Sequence, residues 1–300
     1  MADKKMLFIF NPYSGKGQIK NSLVSILDTF VKAGYQLDVH VTQKTGEATK
    51  IAKERAKDVD YMVCSGGDGT MHEVVNGLMQ LPKEERKPLG YIPAGTTNDY
   101  GRSLKVPKDM KKAAQMVVKK QPLPTDIGKF NNDYFTYVAG FGIFTAVSYT
   151  TPQDTKNMLG HSAYIIEGMK SLADIEACHV KVICDEYTEE GDYLAGLVTN
   201  SISVAGTKLV PGRDASLDDG LFEVMLVKNP ENPLVLAQVL TEFLQENPAN
   251  NSYVIRFKTN KIRFETTKPV DWVLDGEFGG NLSEVNIEVE ENGLNIARKK

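Results

Sequence analysis

Short apolar runs alternate with helical patterns over residues 1–122, and this alternation restricts the fold more than any other feature of the sequence. The apolar runs have the length of buried strands, and they lie at 7–10, 37–41, 61–64 and 89–92. Apolar residues at helical spacing follow the first, third and fourth runs. Strands that alternate with helices predict a parallel sheet covered by helices, so we expect an α/β domain over residues 1–122.

A second pattern begins after the prolines at positions 122 and 124, which suit an extended linker. We expect a second domain over residues 123–300, with helical insertions at 162–172 and 234–244. Strand-like segments lie at 134–138, 179–184, 193–198, 221–227, 254–257 and 262–264. They predict an antiparallel β-sandwich, and the sequence leaves open that the C-terminal tail packs back on the first domain.

Two turn signals within this second region predict hairpin connections. They are Asn131-Asn132 and Glu190-Gly191-Asp192, each of which lies between two strand-like runs. We therefore expect the flanking strands to be antiparallel neighbours.

The composition excludes several classes of protein. A chain of 300 residues suits two domains of ordinary size. Its formal net charge of −4 gives no global positive field for nucleic acid. No apolar stretch reaches roughly 18 residues, so we expect no membrane span. The 3 cysteines form no CxxC pair and do not cluster with the histidines, which favours a reducing cytoplasmic setting without a zinc site.

The Asp68 loop (residues 65–70, Ser-Gly-Gly-Asp-Gly-Thr) directly follows a buried-looking strand and precedes a helix. At such a place, backbone N–H groups and the helix dipole favour phosphate, and glycines permit close backbone approach. The loop therefore predicts a phosphate site. The residues leave open a plain strand-to-helix turn in which Asp68 or Thr70 caps the helix.

Two further loops occupy equivalent places after strands. The Asn98 loop (residues 93–100) follows the run at 89–92, and the Asn11 loop (residues 11–17) follows the first run. Loops after parallel strands open at one edge of a sheet, so we expect all three loops to converge on one crevice. The Asn11 loop lacks the GxxxxGK[ST] pattern, so a simple turn stays open for it.

The chain has no P-loop, no G-x-G-x-x-G and no protein-kinase motifs, so another nucleotide scheme is needed. Gly66-Gly67-Asp68-Gly69-Thr70 together with Pro93-Ala94-Gly95-Thr96-Thr97-Asn98-Asp99 resembles the diacylglycerol kinase catalytic family, in its soluble bacterial lipid-kinase branch. The first motif alone also resembles loops of NAD kinases and phosphofructokinases, but the Thr-Pro-Thr-Gly-Ser run of NAD kinases is absent. The resemblance covers nearly the whole chain. It implies an NAD kinase/diacylglycerol kinase-like nucleotide domain, a C-terminal β-sandwich, and ATP in the cleft between them.

The resemblance also implies a set of nucleotide-side residues. Asp68, also counted as catalytic, and Asp99 would coordinate Mg²⁺ through water, and Asp126 would anchor metal-bound water or simply begin a strand. The full ATP-binding set is Asn11, Pro12, Tyr13, Ser14, Gly15, Thr42, Gly66, Gly67, Asp68, Gly69, Thr70, Met71, His72, Gly95, Thr96, Asn98, Asp99 and Asp126.

A second metal is implied by residues 216–223, Ser-Leu-Asp-Asp-Gly-Leu-Phe-Glu, which resemble the magnesium-holding turn of the same branch. Its ligands would be Asp219 and the backbone oxygens of Ser216 and Leu221. Mg²⁺ accepts such hard oxygen donors. The residues by themselves also suit a plain turn between strands.

The segment Leu274-Asp275-Gly276-Glu277 resembles the catalytic carboxylate segment of the branch. Two carboxylates one residue apart point roughly to the same side of an extended chain, so one can act as a base while the other orients it or a second metal. By resemblance Glu277 is the base and Asp275 its partner. Because Asp-Gly is also a common turn pair, an acidic hairpin stays open.

The resemblance, together with these residues, predicts an ATP- and Mg²⁺-dependent lipid kinase that converts diacylglycerol to phosphatidic acid. The alternatives are a kinase of the same fold for a sphingoid base or phosphatidylglycerol, and a non-catalytic lipid- or nucleotide-binding protein. We expect a cytoplasmic protein that is peripheral at the inner face of the membrane, where Lys16, Lys20 and Arg102 would dock on anionic lipid. A homodimer is a further expectation.

Overall fold

The computed structural model describes residues 4–143, 145, 176–201, 216–230, 232, 235 and 252–299. The chain forms two compact units, the first containing residues 1–127 with 290–300 and the second containing residues 128–289. The helical insertions predicted at 162–172 and 234–244 lie outside the described residues, apart from residue 235.

The first unit is an α/β domain. Its elements are β1 (Lys4–Phe10), α1 (Ile19–Lys32), β2 (Tyr35–Val41), α2 (Glu47–Arg55), β3 (Tyr61–Gly66), α3 (Asp68–Met79), β4 (Leu89–Pro93), α4 (Asp99–Ser103), α5 (Met110–Lys119) and the start of β5 (Leu123–Phe130). Strands β2, β1, β3 and β4 are parallel neighbours in that order. The α/β fold class expected from the alternating pattern is confirmed.

Strand β1 shows why this sheet needs helices on both faces. Its residues 6–10 are all buried, as in a parallel strand covered on two sides. The ring of Phe8 stacks on Phe10 and meets Phe30 of α1 edge to face. Helix α2 packs so closely on α3 that a Cβ built on Gly77 would lie 2.3 Å from the carbonyl oxygen of Thr49.

Residues 290–299 also belong to the first unit. They include the end of β13 (Glu277–Ile296), where Ile296 is the parallel partner of Leu89 in β4. The guanidinium of the buried Arg298 donates to Thr125 Oγ1 at 3.2 Å and to the carbonyl oxygen of Pro124 at 2.9 Å. Leu123 and Pro124 are thus part of β5 and contribute to this unit.

The second unit is antiparallel. It contains the remainder of β5 and of β13 together with β6 (Asp133–Phe135), β7 (Val138–Gly142), β8 (Cys178–Ile183), β9 (Thr188–Thr199), β10 (Phe222–Lys228), β11 (Val254–Thr259) and β12 (Lys261–Leu274). Strand β9 pairs with β7, β8 and β10, while β12 pairs with β7, β8 and β13. The antiparallel fold expected for this part of the chain is confirmed.

The core of the second unit centres on Trp272. Its ring centroid lies 5.2 Å from that of Phe130, 5.0 Å from that of Phe141 and 5.3 Å from that of Phe264. These rings come from β5, β7 and β12, so the aromatic cluster joins strands that are distant along the chain. Edge-to-face and tilted pairs of this kind add to the free energy gained by burial.

One of the two predicted hairpin turns is confirmed and the other is wrong. Asn131, with φ +50°, lies in the turn between β5 and β6. Residues 190–192 form no turn, because β9 runs through them and Gly191 pairs with Val180 of β8. The hairpin turns at residues 184–187 instead, where the amide of Cys184 donates to the carbonyl oxygen of Tyr187 at 3.0 Å.

No helix in the described part of the chain combines the length and apolar character needed to cross a bilayer.

Candidate functional site

The three glycine-bearing loops of the first unit come together at the carboxyl ends of β1, β3 and β4. A Cβ atom built on Gly95 would lie 2.5 Å from the Cα of Gly67, so the Asn98 and Asp68 loops meet backbone to backbone. A Cβ built on Gly15 would lie 2.5 Å from the carbonyl oxygen of Ala94, so the Asn11 loop meets the Asn98 loop in the same way. The convergence expected from the sequence is therefore confirmed.

Hydrogen bonds tie the Asn11 loop to β3 and to the Asp68 loop. The amide of Asn11 donates to the carbonyl oxygen of Ser65 at 2.9 Å, and its side-chain Oδ1 accepts from the amide of Tyr13 at 2.9 Å. The hydroxyl of Ser14 accepts from the amide of Gly67 at 3.1 Å. These bonds fix the position of the Asn11 loop relative to β3 and the Asp68 loop.

The Asn98 loop is built around a residue in left-handed conformation. Asn98 has φ +55°, and its side chain bonds back to Gly95 through both its oxygen, at 2.9 Å, and its nitrogen, at 2.6 Å. Asparagine tolerates this conformation better than most residues because its short polar side chain bonds locally. Asn98 thereby sets the curve of the loop and begins helix α4.

The carboxylate of Asp68 crosses from its own loop to the next. Its two oxygens accept from the amides of Asp99, at 3.1 Å, and Tyr100, at 3.2 Å. The N-cap residue of α3 is Gly67, so neither Asp68 nor Thr70 occupies the capping position. A carboxylate at a helix N-terminus is favoured by the helix dipole, so Asp68 holds the start of α4 against the Asp68 loop.

The amides of these loops divide into two groups. The amides of Gly67 and Gly95 already have acceptors in Ser14 and Asn98. Helix α3 begins at Asp68, and the first amides of an α-helix have no acceptor within the helix. Gly69 and Thr70 in this first turn are therefore the amides best placed by the fold for a phosphate.

Four other residues of the expected ATP set make contacts with other residues of the first unit. The Met71 side chain is fully buried, with its Sδ atom 3.8 Å from the Sγ of Cys64, and it belongs to the core. The Nε2 of His72 lies 3.3 Å from the side-chain nitrogen of Asn76 in α3. The remaining two are buried Thr42, which donates to the carbonyl of Phe10 at 3.4 Å, and buried Asp126, which accepts from the amide of Asn292 at 2.7 Å.

Asp275 and Gly276 form the tight turn between β12 and β13, with φ values of +52° and +89°. Positive φ at both central residues is the signature of a type I′ hairpin turn. Residues 275–277 are thus not an extended chain, and the expectation that Asp275 and Glu277 point to one side of such a chain is wrong, because Asp275 lies in this turn. The alternative of an acidic hairpin describes the local structure.

The Asp275 carboxylate is buried and anchors a distant segment. It accepts hydrogen bonds from the amides of Thr136 at 2.7 Å, Tyr137 at 2.9 Å and Val138 at 3.2 Å, and from the Thr136 hydroxyl at 3.0 Å. The hairpin is thereby fixed to the connection between β6 and β7. Glu277 differs, because it is the exposed first residue of β13, paired with Leu274, and exposed Phe278 follows it.

The turn expected to hold Mg²⁺ keeps its carboxylate in contact with a lysine. Asp219 accepts from the amide of Leu221 at 3.2 Å, and its other oxygen lies 3.3 Å from the Lys258 ammonium. Lys258 also pairs with buried Glu223 at 3.0 Å. The carboxylate and carbonyl donors suit Mg²⁺, but a bound metal would replace the lysine on Asp219. Within the described ranges, no three His, Cys, Asp or Glu side chains are grouped for a metal.

Two polar residues of these sites escape sequence reasoning. Lys258 lies in β11, 39 positions from Asp219, and no local pattern links the two. Tyr91 lies inside the apolar run of β4, yet its hydroxyl bonds to the Asn98 side chain. The available signal for Tyr91 is chemical, because a tyrosine in a fully buried strand needs a partner for its hydroxyl.

Comparison with known proteins agrees with this geometry. Residues 5–130 match the family model described as diacylglycerol kinase catalytic domain, and residues 138–298 match the YegS C-terminal NAD kinase beta sandwich-like domain. The chain is 39% identical over 282 residues to the diacylglycerol kinase of Bacillus subtilis (strain 168), covering 93% of this chain and 91% of that protein.

Further relatives give the same result. The diacylglycerol kinase of Staphylococcus aureus (strain bovine RF122 / ET3-1) is 37% identical, covering 93% of this chain and 88% of that protein. A crystal structure of a diacylglycerol kinase from Bacillus anthracis str. Sterne has a TM-score of 0.78 at 26% identity, covering 100% of this chain and 98% of the other. With two matched domains and relatives aligned over nearly its full length, the chain belongs to the diacylglycerol kinase family of enzymes.

Proposed function

We propose that this kinase transfers the γ-phosphoryl group of ATP to the free hydroxyl of diacylglycerol, forming phosphatidic acid. The observation that carries the proposal is the backbone contact of three glycine-bearing loops beside the start of α3. Such an arrangement suits the phosphates of a nucleotide, and the relatives named above are called diacylglycerol kinases.

The loops of the first unit are the proposed phosphate site. The amides of Gly69 and Thr70 would bind phosphate oxygens, while Gly67 and Gly95 keep the loops together. Asp68 and Asp99 would hold Mg²⁺ through its water shell, which suits a cation that keeps several waters. When bound, Mg²⁺ neutralises charge on the transferring phosphate.

Glu277 is the proposed general base. As the lipid hydroxyl oxygen forms its bond to the γ-phosphorus, the bond from that phosphorus to the bridging oxygen of ADP breaks. The hydroxyl proton passes to the Glu277 carboxylate. Exposure of Glu277 leaves this carboxylate accessible, whereas buried Asp275 keeps the hairpin in place.

The Asp219 turn is the proposed second magnesium site, with a structural role. Asp219 would bind Mg²⁺ beside the backbone oxygens of Ser216 and Leu221. Gly220, with φ +72°, gives this turn its curvature. The bound metal would then replace the Lys258 ammonium as the positive charge beside Asp219.

Basic residues of the Asn11 loop and of α1 support a proposed docking on anionic membranes. Lys16 and Lys20 are exposed, and Lys20 lies 6.0 Å from the ring centre of exposed Tyr13. Each cation near an anionic surface contributes about 1 kcal/mol. Arg102 pairs with Asp99 at 3.5 Å, so we assign it a smaller share. Peripheral action at the inner membrane face and a homodimer remain part of the proposal.

The test is phosphorylation of single lipid alcohols by radiolabelled ATP in vesicles. We expect labelled phosphatidic acid from diacylglycerol, dependence on Mg²⁺, and faster turnover on anionic than on neutral vesicles. Label in a sphingoid base or phosphatidylglycerol instead would overturn the assigned substrate. ATP binding without transfer to any of these lipids would favour a non-catalytic protein.

A further inference from the structure

The Tyr91 hydroxyl lies beneath the junction of the Asp68 and Asn98 loops. It is 3.2 Å from the carbonyl oxygen of Gly66 and 3.3 Å from the side-chain Oδ1 of Asn98. Gly66 ends β3, and Asn98 precedes α4. One side chain of β4 therefore contacts both loops that form the proposed phosphate site.

The two acceptors of Tyr91 are also shared by a backbone amide. The amide of Gly95 lies 2.9 Å from Asn98 Oδ1 and 3.2 Å from the Gly66 carbonyl oxygen. The Gly66 carbonyl in addition accepts from the amide of Ala94 at 2.7 Å. Two donors, the Tyr91 hydroxyl and the Gly95 amide, thus bridge the same pair of acceptors, so the distance between the loops depends on both.

The surroundings of Tyr91 keep its hydroxyl as a hydrogen-bond donor. Burial raises the pKa of Tyr91 well above its ordinary value, and the negative charge of Asp68 raises it further. The ring is held as firmly as the hydroxyl. A Cβ built on Gly101 of α4 would lie 3.2 Å from the Cε1 atom of Tyr91, so α4 packs directly on the ring.

We propose that Tyr91 is a positioning residue for the nucleotide site, acting by fixing the Asn98 loop against the Asp68 loop through its hydroxyl. The residues proposed to bind phosphate lie in both loops, Gly69 and Thr70 in the Asp68 loop and Thr96 in the Asn98 loop. They can bind one nucleotide together only when the spacing between the two loops is constant. Because its side chain is fully buried, Tyr91 acts through Gly66 and Asn98 and not by direct contact with a ligand. The identity of the nucleotide as ATP rests on the proposed function, while the loop spacing does not.

The test compares Tyr91→Phe with Tyr61→Phe. Both changes remove one hydroxyl from a buried tyrosine of neighbouring strands, but the Tyr61 hydroxyl makes no hydrogen bond within the described residues. Loss of one hydrogen bond predicts that Tyr91→Phe weakens binding of a non-hydrolysable ATP analogue about two- to tenfold. We expect the KM for ATP to rise by the same factor, with little change in the KM for lipid. Tyr61→Phe should leave both values as in the wild type.

Two further measurements separate this inference from the proposed function. Amide hydrogen exchange of the nucleotide-free protein should accelerate in residues 93–100 for Tyr91→Phe and not for Tyr61→Phe. In an Asn98→Ala background the Tyr91→Phe effect should shrink, because one of its two acceptors is gone. Exchange and affinity both unchanged in Tyr91→Phe would overturn the inference. A wild type that binds no ATP analogue, with exchange still accelerated in Tyr91→Phe, would instead overturn the proposed nucleotide.

Discussion

The carboxylates of Asp68 and Asp275 both accept hydrogen bonds from backbone amides, but they differ in how deeply they are buried. Asp68, half-buried in the first unit, accepts the amides of Asp99 and Tyr100. Asp275, 3% exposed in the second unit, accepts three amides and a hydroxyl from residues 136–138. An ionised carboxylate has about four lone-pair sites. The four donors around Asp275 occupy its carboxylate with contacts inside the protein, whereas the two amides on Asp68 fill only part of its lone-pair sites. The number of donors around a carboxylate therefore indicates whether it can only stabilise the fold or can also bind a ligand.

Glu277→Gln should have the largest effect on activity. It should also distinguish the role of Glu277 from that of Asp275 in the same hairpin. Removing a positioned general base lowers the rate by about 10²–10⁴-fold, and we expect that loss in lipid phosphorylation. The unfolding midpoint should hardly change, because the side chain is exposed.

The matched control is Glu284→Gln, which changes another exposed glutamate of β13. Its turnover should stay close to that of the wild type, and both variants should bind an ATP analogue normally. Wild-type turnover in Glu277→Gln would remove this residue from the proposed mechanism.

Asp275→Asn should mainly destabilise the protein. The amide that replaces one carboxylate oxygen cannot accept the hydrogen bonds made there, and hydrogen bonds to charged groups contribute roughly 1.5–3 kcal/mol. Urea unfolding followed by tryptophan fluorescence measures the loss, because Trp272 lies in the core of the same unit.

Asp68→Asn sharpens the contrast between the two carboxylates. It should shift the urea midpoint less than Asp275→Asn and should weaken binding of Mg²⁺ and the ATP analogue more. Equal midpoint shifts for the two variants would show that the difference in burial does not separate their roles.

Gly95→Ala tests whether close backbone approach, rather than a side chain, holds the loops of the first unit. The added Cβ would meet the Cα of Gly67 at 2.5 Å, and overpacking of this kind costs about 1–3 kcal/mol. We expect weaker binding of the ATP analogue by calorimetry. Gly67→Ala puts its Cβ at an ordinary 3.5 Å from Gly95 Cα, so its loss should be smaller. The reverse order would contradict the contact.

Lys258→Met should give the smallest change in turnover and acts on the Asp219 turn. Because it also removes the partner of buried Glu223, the Mg²⁺ response of this variant is measured from its own melting temperature without metal. The Lys258 and Asp219 side chains are 37% and 30% exposed, and ion pairs near the surface contribute about 0–1 kcal/mol. Without the competing ammonium, Mg²⁺ should raise the melting temperature more in Lys258→Met than in the wild type. Asp219→Asn should abolish the response. A response that survives Asp219→Asn would place the metal elsewhere.

The sequence predicts well what depends on neighbouring residues and poorly what depends on distant ones. The convergence of the three loops follows from their position after parallel strands, so local patterns were sufficient. The partners of Asp275 lie at residues 136–138, and no pattern near either segment indicates the contact. Residues 190–192 show the opposite error, since pairing of Gly191 with Val180 overrides a local turn signal.

Residues 290–299 belong to the first unit although they follow the second unit in the chain, so completion of the first unit depends on synthesis of the second. Ile296 borders β4, and the amide of Lys299 donates to the carbonyl oxygen of Leu104 at 3.2 Å. A nascent chain emerges N-terminus first, so β4 has an unpaired main-chain edge until the whole second unit has been synthesised. The sheet of the first unit is therefore complete only after the second unit, which carries Glu277, has been synthesised, and a chain that ends before residue 290 leaves β4 without this partner.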